Sequence, residues 1–474
     1  YEIVVGLEIH AEIISKSKLF STASAEFGGA PNTHTTFVDI AFPGMLPVLN
    51  EFCLEQAVKT ALGLNAEVRK VSKFSRKNYF YPDLPQGYQI TQIASEAIMG
   101  PGSVEIELAD GTSKTIRIEH MHLEQDAGKS IHDRNPSKSY IDLNRSGVAL
   151  MEIVSEPDIR SPEEAGSYMR EIRAILRYLG TCDGNMDEGS LRCDANVSVR
   201  PLGDTKLGTR CEIKNVNSMR FVEAAIDYEA RRQVELIENG EVVKQQTRLW
   251  NSQEGITKPM RGKEGASDYR YFPDPDLLPV QVSDEMLARV KASLPELPDA
   301  KKKRYMKNFG LSKYDAHILT LEKESSEYFD EVVNCGAEPK AAANWMQSEL
   351  FAYLNREGLE FKDSKVSPSH LAELTKLIAN NTISGKIAKE VFGLMCESGK
   401  NPSEIVKERG LEQITDDSAI EAAIKKVMAE NADKVAEYKA GKVALLPWFI
   451  GQVMKATGGK ANPAKTGELL KNWL

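Results

Sequence analysis

Five segments of the chain alternate apolar and polar residues, a pattern typical of β-strands that bury one face. They lie at residues 5–13, 116–126, 148–156, 191–200 and 210–214. In the first segment Glu8, His10 and Glu12 alternate with apolar neighbours, so we expect them to project from one face. If the five strands share a sheet, that sheet has one apolar face and one face rich in ionisable side chains.

This polar face has two interpretations. Antiparallel sheets often expose one face to water, and the alternation alone favours that interpretation. The residue types favour a binding site, because carboxylates dominate and are interspersed with His10, Arg192 and Lys214. Carboxylates gathered on one face repel one another unless a cation lies among them, and hard oxygen ligands suit a Mg²⁺–nucleotide site.

Helix and turn signals predict how the chain is organised. Residues 161–179 and 218–239 predict helices, and Asp110 followed by Gly111 predicts a hairpin turn between strands. Beyond a hinge predicted at residues 295–304 the pattern becomes helical, with a helix start at Ser367. We therefore predict an α+β fold, since hairpins and long helices are mixed without a doubly wound pattern. The predicted domains are residues 1–290, 291–405 and 406–474.

Composition narrows the class of protein. The 474 residues are 41% hydrophobic and 27% charged, as in ordinary globular proteins. No apolar run of about 18 residues exists, so we expect no membrane segment. The six cysteines form no CxxC pair, and no signal region is apparent, so we expect a cytoplasmic protein with reduced thiols. Cys193 is expected to be a buried structural thiol, not a nucleophile.

Charge is distributed unevenly along the chain. A net charge of −9 argues against indiscriminate nucleic-acid binding. Residues 439–474, however, hold six lysines and one glutamate. This basic segment indicates a local anionic partner such as RNA, although a solvated helix face explains the charge equally well.

Several nucleotide and nucleophile motifs are missing. Gly128-Lys129-Ser130 lacks the earlier glycine of a Walker A loop, because Leu123 occupies that position. No GxGxxG follows a strand and no GxSxG elbow is present. Two segments, residues 77–89 and 268–279, are aromatic and rich in proline. We expect them either to cover a nucleotide base or a reactive intermediate, or to be rigid surface loops. Arg270 is expected to contact phosphate or to pair with Asp274 or Asp276.

Long strings of this sequence resemble a known family across essentially the whole chain. They are VGLEIHAE (5–12), SKFSRKNYFYPDLPQGYQI (72–90), HLEQDAGKS (122–130), DLNRSGVALMEIVSEPD (142–158), DEGSLRCDANVSVRP (187–201), KNVNS (214–218), DYRYFPDPDL (268–277) and FIGQVMKATGGKANP (449–463). The strings are similar to the B-subunit family of the heterotrimeric glutamyl/aspartyl-tRNA amidotransferases.

The resemblance implies both a fold and an activity. The fold is an antiparallel-sheet cradle similar to glutamine synthetase and guanidino kinases, followed by a helical linker and a small helical tail that binds tRNA. The activity is that of an ATP-dependent ligase subunit, which phosphorylates the side-chain carboxylate of Glu-tRNA(Gln) or Asp-tRNA(Asn). A partner amidase (A) subunit then supplies ammonia, and a small (C) subunit completes the heterotrimer.

The resemblance also assigns roles to residues. The implied catalytic Mg²⁺ ligands are Glu8, His10, Glu124 and Glu152. The implied ATP and phosphate contacts are Glu188, Arg192, Asp194, Glu212 and Lys214. The candidate tRNA contacts are Lys442, Lys455 and Lys460. Two other functions stay open: a free-standing ATP-dependent ligase acting on a small carboxylic acid, and a non-catalytic tRNA-binding scaffold.

One segment departs from the pattern of the family. Some members have the paired cysteines of a zinc knuckle near residues 21–42, whereas this stretch contains no cysteine. We therefore expect no zinc, a loop held by packing, and a surface position for His34.

Overall fold

The structure is a computed structural model that describes residues 1–260, 269–413 and 417–474. The chain divides into two compact units, Tyr1–Pro298 and Asp299–Leu474. Asp268, the first residue of the second aromatic segment, lies outside the described residues. Within the part of the chain that is described, no helix is both long and apolar enough to cross a membrane.

Among the described residues, the first unit contains all the strands and four of the α-helices. The strands are β1 (Glu2–Glu12), β2 (Val71–Ser72), β3 (Ser75–Asn78), β4 (Tyr88–Thr91), β5 (Gly102–Glu107), β6 (Ser113–Gln125), β7 (Lys129–Ile131), β8 (Tyr140–Asp142), β9 (Ala149–Ser155), β10 (Leu191–Arg200), β11 (Cys211–Lys214), β12 (Gln246–Asn251), β13 (Ile256–Pro259), β14 (Phe272–Pro273) and β15 (Val280–Gln281). The helices are α1 (Glu51–Gly63), α2 (Pro162–Leu179), α3 (Met219–Glu238) and α4 (Asp284–Ala292).

Eight of these strands form the main sheet, in the order β13-β12-β11-β10-β1-β9-β6-β5. All neighbouring pairs are antiparallel except β11 with β12, which is parallel. The five segments predicted from the alternation are β1, β6, β9, β10 and β11. An α+β fold with a large, mainly antiparallel sheet is therefore confirmed.

The apolar face of the main sheet packs against α1, α2 and α3. Leu7 and Ile9 of β1 are fully buried in one core with Ile172 and Leu176 of α2. Glu8 lies between the two β1 residues in sequence and is only half-buried, because successive strand residues point to opposite faces. The burial thus follows the predicted alternation.

The two long helices begin and end where the sequence predicts. Ser161 caps α2, and its hydroxyl accepts a hydrogen bond from the backbone N–H of Glu164. The helix ends at Gly180, whose φ of 71° is the left-handed conformation that glycine adopts without strain. Ser218 caps α3 in the same way, through the N–H of Phe221.

The second unit is helical throughout its described residues. Its helices are α5 (Pro298–Phe309), α6 (Lys313–Thr320), α7 (Lys323–Asn334), α8 (Pro339–Trp345), α9 (Phe351–Glu357), α10 (Pro368–Ala379), α11 (Gly385–Ser398), α12 (Pro402–Glu408), α13 (Asp417–Glu430), α14 (Ala432–Lys439), α15 (Leu446–Ala456) and α16 (Pro463–Trp473). A π-helical turn, Met346–Leu350, joins α8 to α9. Ser367 caps α10 as predicted.

Two features of the second unit bear on the predicted domain boundaries. The predicted hinge at residues 295–304 is largely the helix α5, in which Lys303 pairs with Asp299 one turn earlier at 2.6 Å. The apolar side chains form one cluster between Tyr305 and Val406 and another between Ile420 and Leu470. A boundary near residue 405 stays a prediction, which these two clusters support.

Candidate functional site

The polar face of the main sheet centres on β1, which lies between β9 and β10. His10 is paired in register with Glu152 of β9 on one side and with Arg192 of β10 on the other. Glu8, two residues earlier, is paired with Asp194 of β10. Because all these residues point to the same face, the strand order alone brings them together.

The first cluster consists of His10, Glu124 and Glu152, whose ligand atoms lie within 4.8 Å of one another. His10 Nε2 lies 3.2 Å from Glu152 Oε2. His122 Nε2 lies 3.4 Å from Glu152 Oε2 and 3.5 Å from Glu124 Oε2. The hydroxyl of Thr91 donates to Glu124 at 3.2 Å. Glu152 is thus held between two imidazoles.

Charge is balanced within this first cluster. Burial opposes ionisation of Glu152, but the neighbouring His122 and His10 outweigh it and hold the pKa of Glu152 well below its usual range. Burial likewise disfavours the cationic form of His122, yet Glu152 and Glu124 raise its pKa to about 10. His120 lies stacked on His122 with 5.4 Å between ring centroids, and burial and the charge of His122 lower its pKa to about 4.

The second cluster consists of Glu8, Asp194 and Glu212, again with ligand atoms within 4.8 Å of one another. Lys214 Nζ bonds to Asp194 and lies 2.7 Å from Glu212 Oε1. The side-chain amide of Asn196 donates to Glu8 Oε1 at 2.8 Å. The hydroxyl of Thr247, on β12, donates to Glu212 Oε2 at 2.7 Å and fixes that carboxylate.

Charge in the second cluster is less completely balanced. Burial, the charge of Glu152 and the charges of Asp194 and Glu212 raise the pKa of Glu8, and the hydrogen bond from Asn196 only partly offsets them. A carboxylate in this environment is stabilised by a cation. Three oxygen ligands at this spacing fit Mg²⁺, which prefers carboxylate oxygens.

A third group of charges lies at the end of β1 and β6. Asp126 accepts a hydrogen bond from Arg192 Nη2 at 2.7 Å and lies 3.3 Å from Arg145 Nε. Burial and the charge of Asp126 raise the pKa of Glu12 to about 7, against the opposing effect of the two arginines. Arg192 Nε is buried without a hydrogen-bond partner within the described residues. Arg192 is therefore held in place by Asp126 and keeps an N–H group that can donate to a ligand.

Lys77 is a site residue to which the sequence analysis gave no role. It lies on β3, which belongs to a separate three-stranded sheet, β14-β3-β4. Burial opposes its charge, but Glu124, Tyr271 and Glu152 raise its pKa above the usual range. Its only sequence signal is its position just before the aromatic string at residues 79–81.

The two aromatic segments meet in this small sheet. Residues 77–89 were predicted as a loop. They comprise the end of β3, a connecting loop at residues 79–87 and the start of β4, and β3 and β4 form a hairpin. Phe272 of the second segment pairs with Arg76 of β3. Asp274 and Asp276 both bond to Arg76, at 2.8 and 2.7 Å, so the ion pairs considered for Arg270 belong to Arg76 instead.

Four of the predicted contacts belong to neither cluster, and three of them are in the second unit. Glu188 is exposed in the turn before β10, and its backbone N–H donates to the side chain of Asn185 at 3.3 Å. Lys442 is exposed and pairs with Glu437 at 2.8 Å. Lys455 is exposed in the last turn of α15, and Lys460 is half-buried in the turn before α16.

The cysteine-free loop is held by buried polar contacts as well as by packing. Asp39 accepts hydrogen bonds from Ser21 at 2.9 Å and from the backbone N–H of Thr36 at 2.7 Å. The fully buried Lys18 lies 3.6 Å from the same carboxylate. His34 Nδ1 donates to the carbonyl of Glu26 at 2.9 Å. The loop is thus fixed by an ion pair and hydrogen bonds.

Comparisons with known proteins identify the family. A model of the GatB/GatE catalytic domain matches residues 3–288, and a model of the GatB domain matches residues 327–474. The chain is 58% identical over 470 residues to the B subunit of the aspartyl/glutamyl-tRNA(Asn/Gln) amidotransferase of Paramagnetospirillum magneticum, covering 99% of this chain and 96% of that protein. It is 56% identical over 474 residues to the protein of the same name from Rickettsia bellii, covering 100% and 98%. The chain therefore belongs to the GatB family of tRNA amidotransferase B subunits.

Proposed function

We propose that this chain uses ATP to phosphorylate the side-chain carboxylate of Glu-tRNA(Gln), Asp-tRNA(Asn) or both, and then amidates it. One observation carries the proposal: two carboxylate clusters lie side by side on one sheet face, flanked by Lys77, Arg192 and Lys214. Phosphoryl transfer needs little covalent help from a protein, and it requires positioned cations around the transferring group. The name of the relatives supports tRNA as the carrier of the substrate.

The reaction follows from the chemistry of a carboxylate, which is a poor acyl donor because its leaving group would be oxide. A carboxylate oxygen attacks the γ-phosphorus of ATP, the bond from that phosphorus to the bridging oxygen breaks, and ADP leaves with the electron pair. Ammonia nitrogen then attacks the acyl carbon. The carbon–oxygen bond to phosphate breaks, phosphate leaves, and the nitrogen loses a proton to give the amide.

We assign the ion and nucleotide contacts by their donor types. Mg²⁺, when bound, neutralises phosphate oxygens, and the oxygen-rich sets fit it: His10, Glu124 and Glu152 in one set, and Glu8, Asp194 and Glu212 in the other. Lys214 and Arg192, each fixed by acidic neighbours, face the same side and are proposed to donate to phosphate. Glu188 stays a proposed nucleotide contact, and no zinc is proposed.

Partners follow from what this sequence lacks. It has no GxSxG elbow or other amidase nucleophile motif, so the ammonia is proposed to come from an amidase (A) subunit, with a small (C) subunit completing a cytoplasmic heterotrimer. The relatives are named as the B subunit of an amidotransferase, which supports a multi-subunit enzyme. We further propose that the first 290 residues form a cradle similar to glutamine synthetase, and that residues 406–474 bind tRNA through Lys442, Lys455 and Lys460.

The test is ADP release by this chain reconstituted with its A and C subunits and Mg²⁺, comparing Glu-tRNA(Gln) and Asp-tRNA(Asn) with uncharged tRNA. The proposal predicts ADP release only with a misacylated tRNA. Equal ADP release with uncharged tRNA, from a complex shown to assemble, would favour a free-standing ligase on a small carboxylic acid. Binding of tRNA without any ADP release would favour the non-catalytic scaffold.

A further inference from the structure

The loop at residues 79–87 presents two aromatic rings to solvent beside the first cluster. Phe80 is 87% exposed and Tyr81 is 63% exposed. Exposed aromatic side chains at consecutive positions of a loop indicate a binding surface.

The loop that presents these rings is firmly anchored. Leu84 is buried, and the backbone N–H of Gly128 donates to the carbonyl of Asp83 at 2.9 Å. Ser130 Oγ lies 3.2 Å from the carboxylate of the same Asp83. The Gly128-Lys129-Ser130 tripeptide thus supports this loop. Because the loop is fixed at these points, the two rings are held ready for a ligand at little cost in conformational entropy.

The Phe80 ring contacts Gly87 and is otherwise largely exposed. A Cβ atom on Gly87 would lie only 3.0 Å from Phe80 Cε1, so the ring rests against the bare glycine backbone. Gly87 also has a φ of +73°, which a residue with a side chain adopts only with strain. The exposed part of the Phe80 ring is therefore available to a ligand.

A row of tyrosines connects this surface to the proposed phosphorylation site. The Tyr81 ring lies 5.8 Å from the Tyr79 ring, which in turn lies 6.2 Å from the Tyr269 ring. Lys77 Nζ lies 5.1 Å from the centre of the Tyr269 ring. Thr91 of β4, the strand that follows this loop, donates to Glu124 at 3.2 Å. The hairpin that carries the exposed rings therefore contacts the first cluster.

We propose that Phe80 and Tyr81 form a stacking platform for the 3′-terminal base of the misacylated tRNA. This inference rests on the proposed function. The reacting carboxylate and the terminal base belong to one ester-linked nucleotide, separated only by the ribose and the amino acid. A site that holds the carboxylate at Glu124 thus places the base nearby, and single-stranded bases stack on aromatic side chains.

Because the platform is open to solvent, it suits the 3′ end of a single-stranded nucleic acid better than the adenine of ATP. Small-molecule sites bury most of the ligand surface in a cleft. Phe80 and Tyr81 instead lie at an open loop tip, as in surfaces that receive single-stranded nucleic acid.

The test compares a Phe80→Ala, Tyr81→Ala double variant with wild type in the reconstituted heterotrimer. We expect KM for Glu-tRNA(Gln) to rise about 10-fold or more, the effect of lost base stacking, with KM for ATP unchanged. A Phe80→Tyr, Tyr81→Phe variant, which keeps both rings, should behave as wild type. Leu202→Ala is the matched control, because Leu202 is 82% exposed in a turn after β10.

A second measurement does not depend on turnover. A Glu-tRNA(Gln) whose terminal adenine is replaced by the fluorescent base 2-aminopurine should be quenched on binding wild-type complex and not the double-alanine variant. Equal quenching by the wild-type and double-alanine complexes would overturn the proposal. A rise in KM for ATP alone would also overturn it and would assign the platform to ATP. If wild type quenches the base but releases no tRNA-dependent ADP, the proposed function fails while the platform stands.

Discussion

The two carboxylate clusters share strand β1 but differ in how their charge is balanced. Around Glu152, two histidines approach the carboxylate and lower its pKa. Around Glu8, one lysine and one amide face three carboxylates, and the pKa of Glu8 is raised. The polar face is therefore not uniformly acidic. The demand for an added cation is greatest at the Glu8 end, and the His10 end is largely neutralised by the protein itself.

The largest effect should come from Glu124, the most buried ligand of the first cluster. Glu124→Gln should lower tRNA-dependent ADP release about 100-fold or more, judged by comparable deletions of electrostatic groups, with the fold intact. The rate of ADP release measures the activity, and circular dichroism measures whether the fold is intact. Glu105→Gln, on the exposed side of the edge strand β5, is the matched control. Near-normal turnover in Glu124→Gln would remove this residue from the site.

A direct test of the comparison is the Mg²⁺ requirement of each cluster. Glu8→Gln should raise the Mg²⁺ concentration for half-maximal ADP release at least about 10-fold, since even outer-shell partners of a metal have effects of this size. Glu152→Gln should raise it less, because His10 and His122 already neutralise that carboxylate. The reverse order of the two variants would show that the cation demand has been assigned to the wrong end.

Substitutions in the tail should leave both clusters unaffected and change tRNA affinity alone. Replacing Lys442, Lys455 and Lys460 with Ala should weaken tRNA binding and reduce the slope of log affinity against log salt by about 1 for every phosphate that is no longer neutralised. Filter binding over a salt series measures this slope. The control triple is Lys307, Lys362 and Lys386, which are exposed in the second unit before residue 406. Equal slopes for both triples would favour a solvated helix face.

The smallest effect should come from Thr247, which orients Glu212 without belonging to the cluster. Thr247→Val removes one hydrogen bond, worth about 1 kcal/mol, so the Mg²⁺ requirement should rise about 5-fold. Thr247→Ser, which keeps the hydroxyl, should restore the wild-type requirement. A variant without any change in Mg²⁺ dependence would mean that Glu212 is held well enough by Lys214.

Sequence alternation was sufficient to predict five strands of the main sheet and its polar face, because strand side chains have a period of two. It was less informative where the period is interrupted. In β6, Ile118 and His120 are two residues apart, so a regular strand would place them on the same face. Ile118 instead faces the core, and His120 faces the polar side of the sheet. A β-bulge between them changes the register. The local sequence contains no signal for that bulge beyond the change in residue type.

The grouping of the site residues depended on strand order, which alternation does not encode. Glu8 and His10 were expected in one ligand set. The structure groups Glu8 with Asp194, because β10 supplies the acidic neighbour there, and groups His10 with Glu152, because β9 supplies it. Lys77 reaches the first cluster from a separate sheet, so no pattern within the main sheet could predict it.

Phosphorylation of the substrate carboxylate is tested most directly by following one oxygen atom. Glu-tRNA(Gln) labelled with oxygen-18 in its side-chain carboxylate is converted by the reconstituted heterotrimer with ATP, Mg²⁺ and an ammonium salt, and the released phosphate is analysed by mass spectrometry. Formation of an acyl phosphate predicts that one carboxylate oxygen appears in phosphate for each amide formed. Amide formation with unlabelled phosphate would contradict phosphorylation of the carboxylate and the mechanism built on the two clusters.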